Sequence, residues 1–165
     1  MFRLSKLADY GIVIMTGLAR RPEQQFSAAE IAQESLIPQP MASKILKGLT
    51  RAGMLISHRG ARGGYGLARP GEEITVAEVI TALEGPIALT ACIDEGPGGC
   101  DIESLCPARA NWQRINDAIR GALDGITMAE MAQTIPEAFA TPLETNTTLE
   151  KRLADIGSAK IGLET

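Results

Sequence analysis

Three cysteines carry the most evident chemistry in this chain of 165 residues. Cys92, Cys100 and Cys106 follow a C-x7-C-x5-C spacing within a segment rich in glycine and proline. Thiolates bind iron and zinc and react with oxidants, and three thiols in one irregular loop can converge on a single metal centre. The spacing lacks the C-x2-C pairs of zinc ribbons. It favours an iron–sulfur cluster, either 2Fe-2S or 4Fe-4S, over a zinc site, a thiol redox pair or cysteines without a chemical role.

The rest of the sequence indicates where such thiols would reside. Three is an odd number of cysteines, and no run approaches the length of apolar chain that crosses a membrane. The first residues lead into an amphipathic pattern instead of a signal peptide. We therefore expect a cytoplasmic protein that does not interact with membranes and has no structural disulfides.

A second feature is a basic segment that contains no carboxylate. Residues 35–71 hold no Asp or Glu, although the whole chain has a formal net charge of -4. Residues 72–165, by contrast, are strongly acidic. Because a polyanion repels carboxylates, the basic segment is predicted to face nucleic acid. Its cations are Lys44, Lys47, Arg51, Arg59, Arg62 and Arg69.

Three predicted helices precede and position the basic side chains. Apolar periodicity predicts a first helix over 6–20, and a capping box at Ser27 starts a second helix over 27–35. A turn rich in proline then leads into a third helix over 39–52. The second and third helices, joined by a tight turn, form a helix-turn-helix candidate.

The third helix and the hairpin after it carry the candidate DNA contacts. Strands over 54–57 and 66–68 flank a glycine-rich basic turn, an arrangement typical of a winged helix-turn-helix. Side chains near the helix start are expected to read bases, and the cations are expected to contact phosphates or base edges. The predicted contacts are Gln39, Met41, Ser43, Lys44, Lys47 and Arg51 on the helix, with Arg59 and Arg62 on the wing.

The acidic part of the chain is predicted to dimerise. A fourth helix over 75–83 is followed by the cysteine loop and by a fifth helix over 107–124. The fifth helix has an apolar stripe with little left to pack against in so short a chain, so pairing with a second copy is expected. A two-fold homodimer would present two recognition helices to an inverted-repeat operator in double-stranded DNA. The stripe comprises Trp112, Ile115, Ile119, Ala122 and Leu123.

The predicted fold class is mainly α with a small β-hairpin wing, that is, a winged helix-turn-helix plus a long dimerisation helix. An enzyme is not expected, because the single histidine, His58, belongs to the wing and no nucleophile is paired with a base. The predicted parts are a DNA-binding domain at 1–85, a cluster-binding loop at 86–106, a dimerisation region at 107–131 and a polar tail at 132–165.

Several segments together resemble the Rrf2 family of bacterial transcription regulators. The similarity is carried by the start at 3–10, the wing at 59–67, the segment 74–80 and the three cysteines before Trp112. Within the family, the chain is most similar to regulators of the SUF iron–sulfur assembly system. The resemblance implies a dimeric winged-helix protein whose cluster occupancy alters its DNA binding.

The resemblance also bears on the fourth ligand of a cluster. Some family members place a histidine three residues after the last cysteine, where this chain has Arg109, whose guanidinium stays protonated and cannot bind iron. Another branch uses a carboxylate from the first helix of the partner subunit, and Asp9 falls at the matching position. Asp9 is therefore the preferred ligand. The alternatives are water, a small thiol or a loop carboxylate from Asp94, Glu95, Asp101 or Glu103.

Taken with the basic segment and the cysteines, the resemblance implies an iron–sulfur-cluster-dependent, DNA-binding repressor of iron–sulfur assembly or iron homeostasis genes. The alternative is a winged-helix regulator that senses nitric oxide or oxidants through thiols or a labile cluster. A third hypothesis is a zinc-stabilised module that binds an acidic partner protein. Metal identity and salt-dependent DNA affinity separate these hypotheses.

Overall fold

Hydroxyl caps start four of the helices in this fold. The structure is a computed structural model that describes residues 3–58, 60, 63–93 and 105–133, all within one unit, Met1–Thr134. The Ser27 hydroxyl accepts a hydrogen bond from the Glu30 N–H (3.2 Å), and the Glu30 carboxylate accepts one from the Ser27 N–H (2.7 Å). The predicted capping box is confirmed, and it satisfies two amide groups that the helix itself leaves unpaired.

Capping boxes at Thr75 and Thr127 form in the same way, with Glu78 and Glu130 as their partners. Ser5 caps the first helix by accepting hydrogen bonds from two following N–H groups. The described helices are α1 Lys6–Ala19, α2 Ala28–Ser35, α3 Gln39–Arg51, α4 Val76–Glu84, α5 Arg109–Asp124 and α6 Met128–Gln133.

A two-stranded antiparallel hairpin follows α3. Its strands are β1 Leu55–His58 and β2 Gly64–Leu67, in a register that pairs Leu55 with Leu67. The mainly helical fold with a hairpin wing is confirmed. A short 3-10 turn over Gly71–Glu73 connects the hairpin to α4.

Two predicted boundaries were wrong. The second strand begins at Gly64 instead of residue 66, because Gly64 and Tyr65 pair with His58 and Ser57 of β1. Tyr65 also exchanges two backbone hydrogen bonds with Phe26, of 2.8 and 3.1 Å. That pairing brings the Phe26 backbone so close that a Cβ at Gly64 would lie 2.7 Å from the Phe26 carbonyl oxygen. The fifth helix begins two residues later than predicted, because Pro107 and Ala108 form a turn ahead of it.

The core lies where α1, α3 and α4 meet. Burial of the apolar side chains of these three helices supplies the main driving force for packing the helix-turn-helix against its neighbours. Thr75 and Thr127 form an antiparallel bridge that ties the start of α4 to the start of α6. The largest fully buried side chains are Met15, Ile45, Leu46, Leu49, Leu55, Ile74, Val79 and Met128.

Candidate nucleic-acid interface and thiol site

Three cations of α3 lie on one face of the helix. Ile45, Leu46 and Leu49 are fully buried, and the exposed side chains of Lys44, Lys47 and Arg51 occupy the opposite face. At about 100° per residue, these three positions fall within an arc of about 60°. The basic side chains are therefore presented together, as an element that binds a phosphate backbone requires.

The polar and apolar side chains at the start of α3 differ in exposure. Gln39 is exposed, whereas Met41 and Ser43 are half-buried. Met41 packs against the hydrophobic core, so it has less freedom to point outward than the sequence suggested. No acidic residue occupies the first turn of α3, which leaves the positive end of the helix dipole uncompensated by a carboxylate there.

The turn before α3 has a strained residue. Leu36 adopts a left-handed conformation with φ of 56°, and its side chain is exposed. The following Ile37 is buried, so the left-handed residue turns the chain such that Ile37 enters the core while α3 starts outside it.

Backbone hydrogen bonds fix the described residues of the hairpin wing. The Gly63 N–H donates to the Gly60 carbonyl (2.9 Å), and Gly60 has φ of 120°, a conformation that favours glycine. Arg59 and Arg62, the predicted wing contacts, lie outside the described residues. The second strand of the hairpin is fixed by the backbone pairing of Tyr65 with Phe26. The Arg21 guanidinium stacks over the Phe26 ring at 4.1 Å from its centroid.

Arg69, although it lies in the basic segment, forms an ion pair within the protein. Its guanidinium donates to the Glu78 carboxylate (2.6 Å) and also to the Glu73 carbonyl oxygen. Burial alone would raise the pKa of Glu78, but hydrogen bonds from Thr75 and Arg69, together with the Arg69 charge, bring it below its ordinary value of 4.5. Arg69 thus joins the end of the wing to the start of α4.

A cleft of about 390 Å³ separates the start of α1 from α3 and α4. Lys44 and Arg51 border it on one side and Leu7 and Leu83 on the other. The aliphatic stems of these two basic side chains therefore cover apolar surface, while their charged ends remain in water.

The two described thiols lie at opposite ends of the segment 93–105. Cys92 and Cys106 are both free and half-buried, and the Thr90 hydroxyl lies 3.2 Å from Cys92 Sγ, within hydrogen-bond distance. Cys106 adjoins α5, because its carbonyl accepts from the Arg109 N–H (3.4 Å). Cys100 and the four loop carboxylates lie outside the described residues. Within the described ranges, no three His, Cys, Asp or Glu side chains form a metal-binding group.

Asp9, the predicted fourth ligand, lies in the first turn of α1 and is exposed.

A model of the Rrf2 family, described as iron-dependent transcriptional regulators, matches residues 4–134. The match covers most of the chain, including the helix-turn-helix, the wing and the cysteine segment. The chain belongs to the Rrf2 family.

Two groups of Rrf2 regulators are similar to this chain. The HTH-type regulator CymR of Bacillus subtilis is 33% identical over 132 residues, which cover 79% of this chain and 89% of CymR. The solved structure of CymR, the global cysteine regulator of that organism, superposes with a TM-score of 0.66 at 31% identity, covering 82% of this chain and all of CymR.

The second group is IscR. The HTH-type regulator IscR of Cronobacter sakazakii is 30% identical over 130 residues, which cover 78% of this chain and 79% of IscR. The solved T. potens IscR structure has a TM-score of 0.64 at 28% identity and covers 90% of this chain and 96% of that one. Relatives and fold are those of winged-helix transcriptional regulators, and this Rrf2 protein is not an enzyme.

One polar residue near the thiols was missed by sequence reasoning. Asn116 of α5 is buried, and its side chain bonds the backbone of Ile87 and Leu89, in the segment that leads to Cys92. The helical periodicity of α5 placed Asn116 beside the apolar stripe, but nothing local could identify partners almost thirty residues away.

No described helix of this Rrf2 protein is both long and apolar enough to cross a membrane.

Proposed function

We propose that this Rrf2 protein is an iron–sulfur-cluster-dependent DNA-binding repressor of iron–sulfur assembly or iron homeostasis genes, of the SUF-regulator type. It would act in the cytoplasm on an inverted-repeat operator. The observation that carries the proposal is that the segments bearing the two described free thiols both contact α5. The Cys106 carbonyl accepts from the Arg109 N–H at the helix start, and the segment before Cys92 is hydrogen-bonded to Asn116. Cys100 lies between them in the sequence.

The available donors have the chemistry that an iron–sulfur cluster requires. Cys92, Cys100 and Cys106 would supply soft thiolate ligands, and Asp9 from the partner subunit would supply a hard oxygen ligand. Asp9 is exposed and makes no side-chain hydrogen bond or ion pair to any described residue, so its carboxylate is available to a second chain. A bound cluster would add iron charge among thiolates and carboxylates, and its loss would leave groups that repel one another.

The DNA contacts are assigned to α3 and the wing. Lys44, Lys47 and Arg51 would contact phosphates or base edges from the exposed face of α3, and Gln39, Met41 and Ser43 would lie nearer the bases. From the wing, Arg59 and Arg62 would reach phosphates or the minor groove. The common orientation of the three α3 cations supports this assignment.

The homodimer is assigned to α5. Trp112 and Ile115 remain 40% and 46% exposed, and Ile119 and Leu123 are half-buried. Large apolar side chains that remain exposed along one helix favour burial against a second copy. The protein would then divide into a DNA-binding domain at 1–85, the loop at 86–106 and a dimerisation region at 107–131, with the tail 132–165 beyond them.

A second candidate function is direct sensing of oxidants or nitric oxide through the thiols or a labile cluster. The two described thiols support it, because Cys92 and Cys106 are both free and partly exposed, so a solution oxidant can reach them. The similarity to CymR, a global cysteine regulator, also shows that the family includes regulators named for thiol metabolism. A zinc module that binds only protein has no comparable support, because the family is one of transcriptional regulators.

Anaerobic purification followed by metal analysis tests the proposal. We expect iron with a matching amount of acid-labile sulfide, a broad visible absorption, and its loss when each cysteine is replaced in turn by serine. Holo and apo protein should then differ in affinity for operator DNA. Zinc instead of iron would overturn the cluster in favour of a zinc-stabilised protein, and reactive thiols without metal would overturn it in favour of thiol sensing.

The same preparation tests the fourth ligand. Asp9→Ala should shift the visible spectrum or accelerate cluster loss, whereas Asp117→Ala, which removes an exposed carboxylate from α5, should leave both unchanged. If the Asp9→Ala spectrum and cluster lifetime equal those of the wild type, the ligand is a different group.

A further inference from the structure

A buried asparagine on an otherwise exposed helix is unusual. Among the described residues of α5, only Asn116 is fully buried, with 4% of its surface exposed. A leucine would be the simpler choice for a packing position, because burying an amide is costly unless its polar atoms are hydrogen-bonded. The position of Asn116 therefore requires a reason in its contacts.

The Asn116 amide uses both of its polar atoms on one backbone segment. Its oxygen accepts from the Leu89 N–H (3.1 Å), and its nitrogen donates to the Ile87 carbonyl (2.9 Å). A side-chain amide that accepts from one residue and donates to another two positions away fixes both the position of that segment along the helix and its orientation. The cysteine arm, residues 86–93, is thereby held against α5.

The helix before the cysteine arm cannot set the direction of the arm by itself. Helix α4 ends at Glu84, and Gly85 has φ of 93°, in the region that favours glycine, where the chain leaves the helix axis. Beyond the two contacts with Asn116, the Ile93 N–H donates to the Thr90 carbonyl (3.0 Å) and closes a turn around Cys92. Cys92 thus follows a segment that is hydrogen-bonded to α5.

We propose that Asn116 is the positioning residue of the thiol site, which holds Cys92 at a fixed place relative to α5 and to Cys106. Cys106 adjoins the start of the same helix, so α5 sets the separation of the first and last thiols. For a cluster, this would hold two of the proposed ligands in place before iron arrives. The inference deepens the proposed function and rests on it only for the identity of the group that the thiols bind.

Asn116→Leu is the main test, because leucine fills a similar volume but forms neither hydrogen bond. Asn116→Asp keeps the acceptor for Leu89 and loses the donor to Ile87, and so tests the proposal if leucine prevents folding. Asn111→Leu is the matched control, since Asn111 is an exposed asparagine on the same helix.

The first measurement uses reduced, metal-free protein and therefore does not depend on a cluster. Alkylation by iodoacetamide is followed at each cysteine by peptide mass spectrometry, together with hydrogen exchange of the Leu89 amide. In Asn116→Leu we expect Cys92 alkylation and Leu89 exchange to rise about tenfold, the size expected from losing two buried hydrogen bonds, while Cys106 changes little. Asn116→Asp, which sets a carboxylate oxygen against the Ile87 carbonyl, should also raise both, and Asn111→Leu should raise neither.

The second measurement uses the anaerobic holoprotein. Asn116→Leu should lose iron to a chelator several times faster than Asn111→Leu does, with a changed visible spectrum. If metal is absent from the wild type, the proposed function fails, but the alkylation result still decides the role of Asn116. Unchanged Cys92 alkylation, or an equal rise at Cys92 and Cys106, would mean that Asn116 has no specific effect on Cys92 and would overturn the inference.

Discussion

Leu83 of α4 fills the space that a side chain at Gly11 of α1 would need. A Cβ built at Gly11 would overlap the Leu83 Cδ1 methyl, and a Cβ built at Gly48 of α3 would lie 3.0 Å from the Leu83 Cδ2 methyl. Glycines on two different helices therefore make room for one leucine. Because Leu83 immediately precedes the end of α4, the residue that packs against the recognition helix also lies at the entry to the cysteine arm.

Gly11→Ala should destabilise the protein despite the higher helix propensity of alanine. The propensity gain is about 1 kcal/mol, whereas forcing a well-packed leucine out of its position costs about 1 to 3 kcal/mol. We expect a net loss of about 1 kcal/mol in the free energy of unfolding, measured by chemical denaturation.

The same substitution in a Leu83→Ala background is the control. With Leu83 shortened, the nearest remaining atom to the new methyl is Val79 Cγ1 at 3.6 Å, which is ordinary contact. Gly11→Ala should then stabilise the protein relative to Leu83→Ala alone. The same destabilisation in both backgrounds would show that Leu83 is not the obstacle.

Lys47→Ala should weaken DNA binding across all sequences. Lys47 is exposed on the face of α3 that lies opposite the core. Loss of one phosphate contact should reduce by about one the magnitude of the slope of log binding constant against log salt, and operator and random DNA should be affected alike. Fluorescence anisotropy over a range of salt concentrations measures both quantities.

Arg114→Ala serves as the control for Lys47, because it removes one exposed positive charge from α5. Its effect on the salt slope should be much smaller. Equal effects of the two substitutions would indicate that net charge, and not the α3 face, determines affinity.

Ile115→Glu should convert the proposed dimer to a monomer at micromolar concentration. Ile115 belongs to the exposed apolar stripe of α5, and a buried carboxylate without a partner is costly in an interface. Sedimentation velocity should show the change of mass. Ile56→Glu is a close match in type and exposure, 42% against 46%, but lies on β1 and should leave the mass unchanged. A dimeric Ile115→Glu protein would place the interface elsewhere.

Helix starts were predicted more accurately than the extent of the hairpin. The capping box at Ser27 was predicted correctly because its hydrogen bonds join residues three apart. The start of the second strand was missed because Gly64 was assigned to the glycine-rich turn, whereas Gly64 and Tyr65 pair with His58 and Ser57 of β1. Bounds of α1 to α4 agreed with periodicity and proline positions to within one residue.

The site was predictable by residue type but not by partner. The absence of Asp and Glu from residues 35–71 indicated a basic surface. Charge alone could not separate Lys47, which is exposed, from Arg69, which is paired with Glu78. Periodicity placed Met41 outside the core, whereas it packs against the core. The role of Asn116 depends on partners 27 and 29 residues away, which no sequence pattern specifies.

The pairing of Glu78 with Arg69 should make stability depend on pH in the acidic range. Hydrogen bonds from Thr75 and Arg69 and the Arg69 charge outweigh burial and lower the pKa of Glu78, so the folded protein binds this proton less tightly than the unfolded chain does. The stabilisation is therefore fully present above the ordinary glutamate pKa of 4.5 and is lost as the pH falls through the lower, folded value.

Glu78→Gln isolates this contribution, because glutamine can still complete the capping box but carries no charge. Wild type should be the more stable protein at pH 7, and the difference in unfolding free energy should shrink towards zero between about pH 5 and pH 2. Glu72→Gln, at an exposed residue of the preceding 3-10 turn, is the control and should show a smaller difference at pH 7. A Glu78→Gln difference that stays constant over this range would mean that the amide disturbs packing and that the charge contributes nothing.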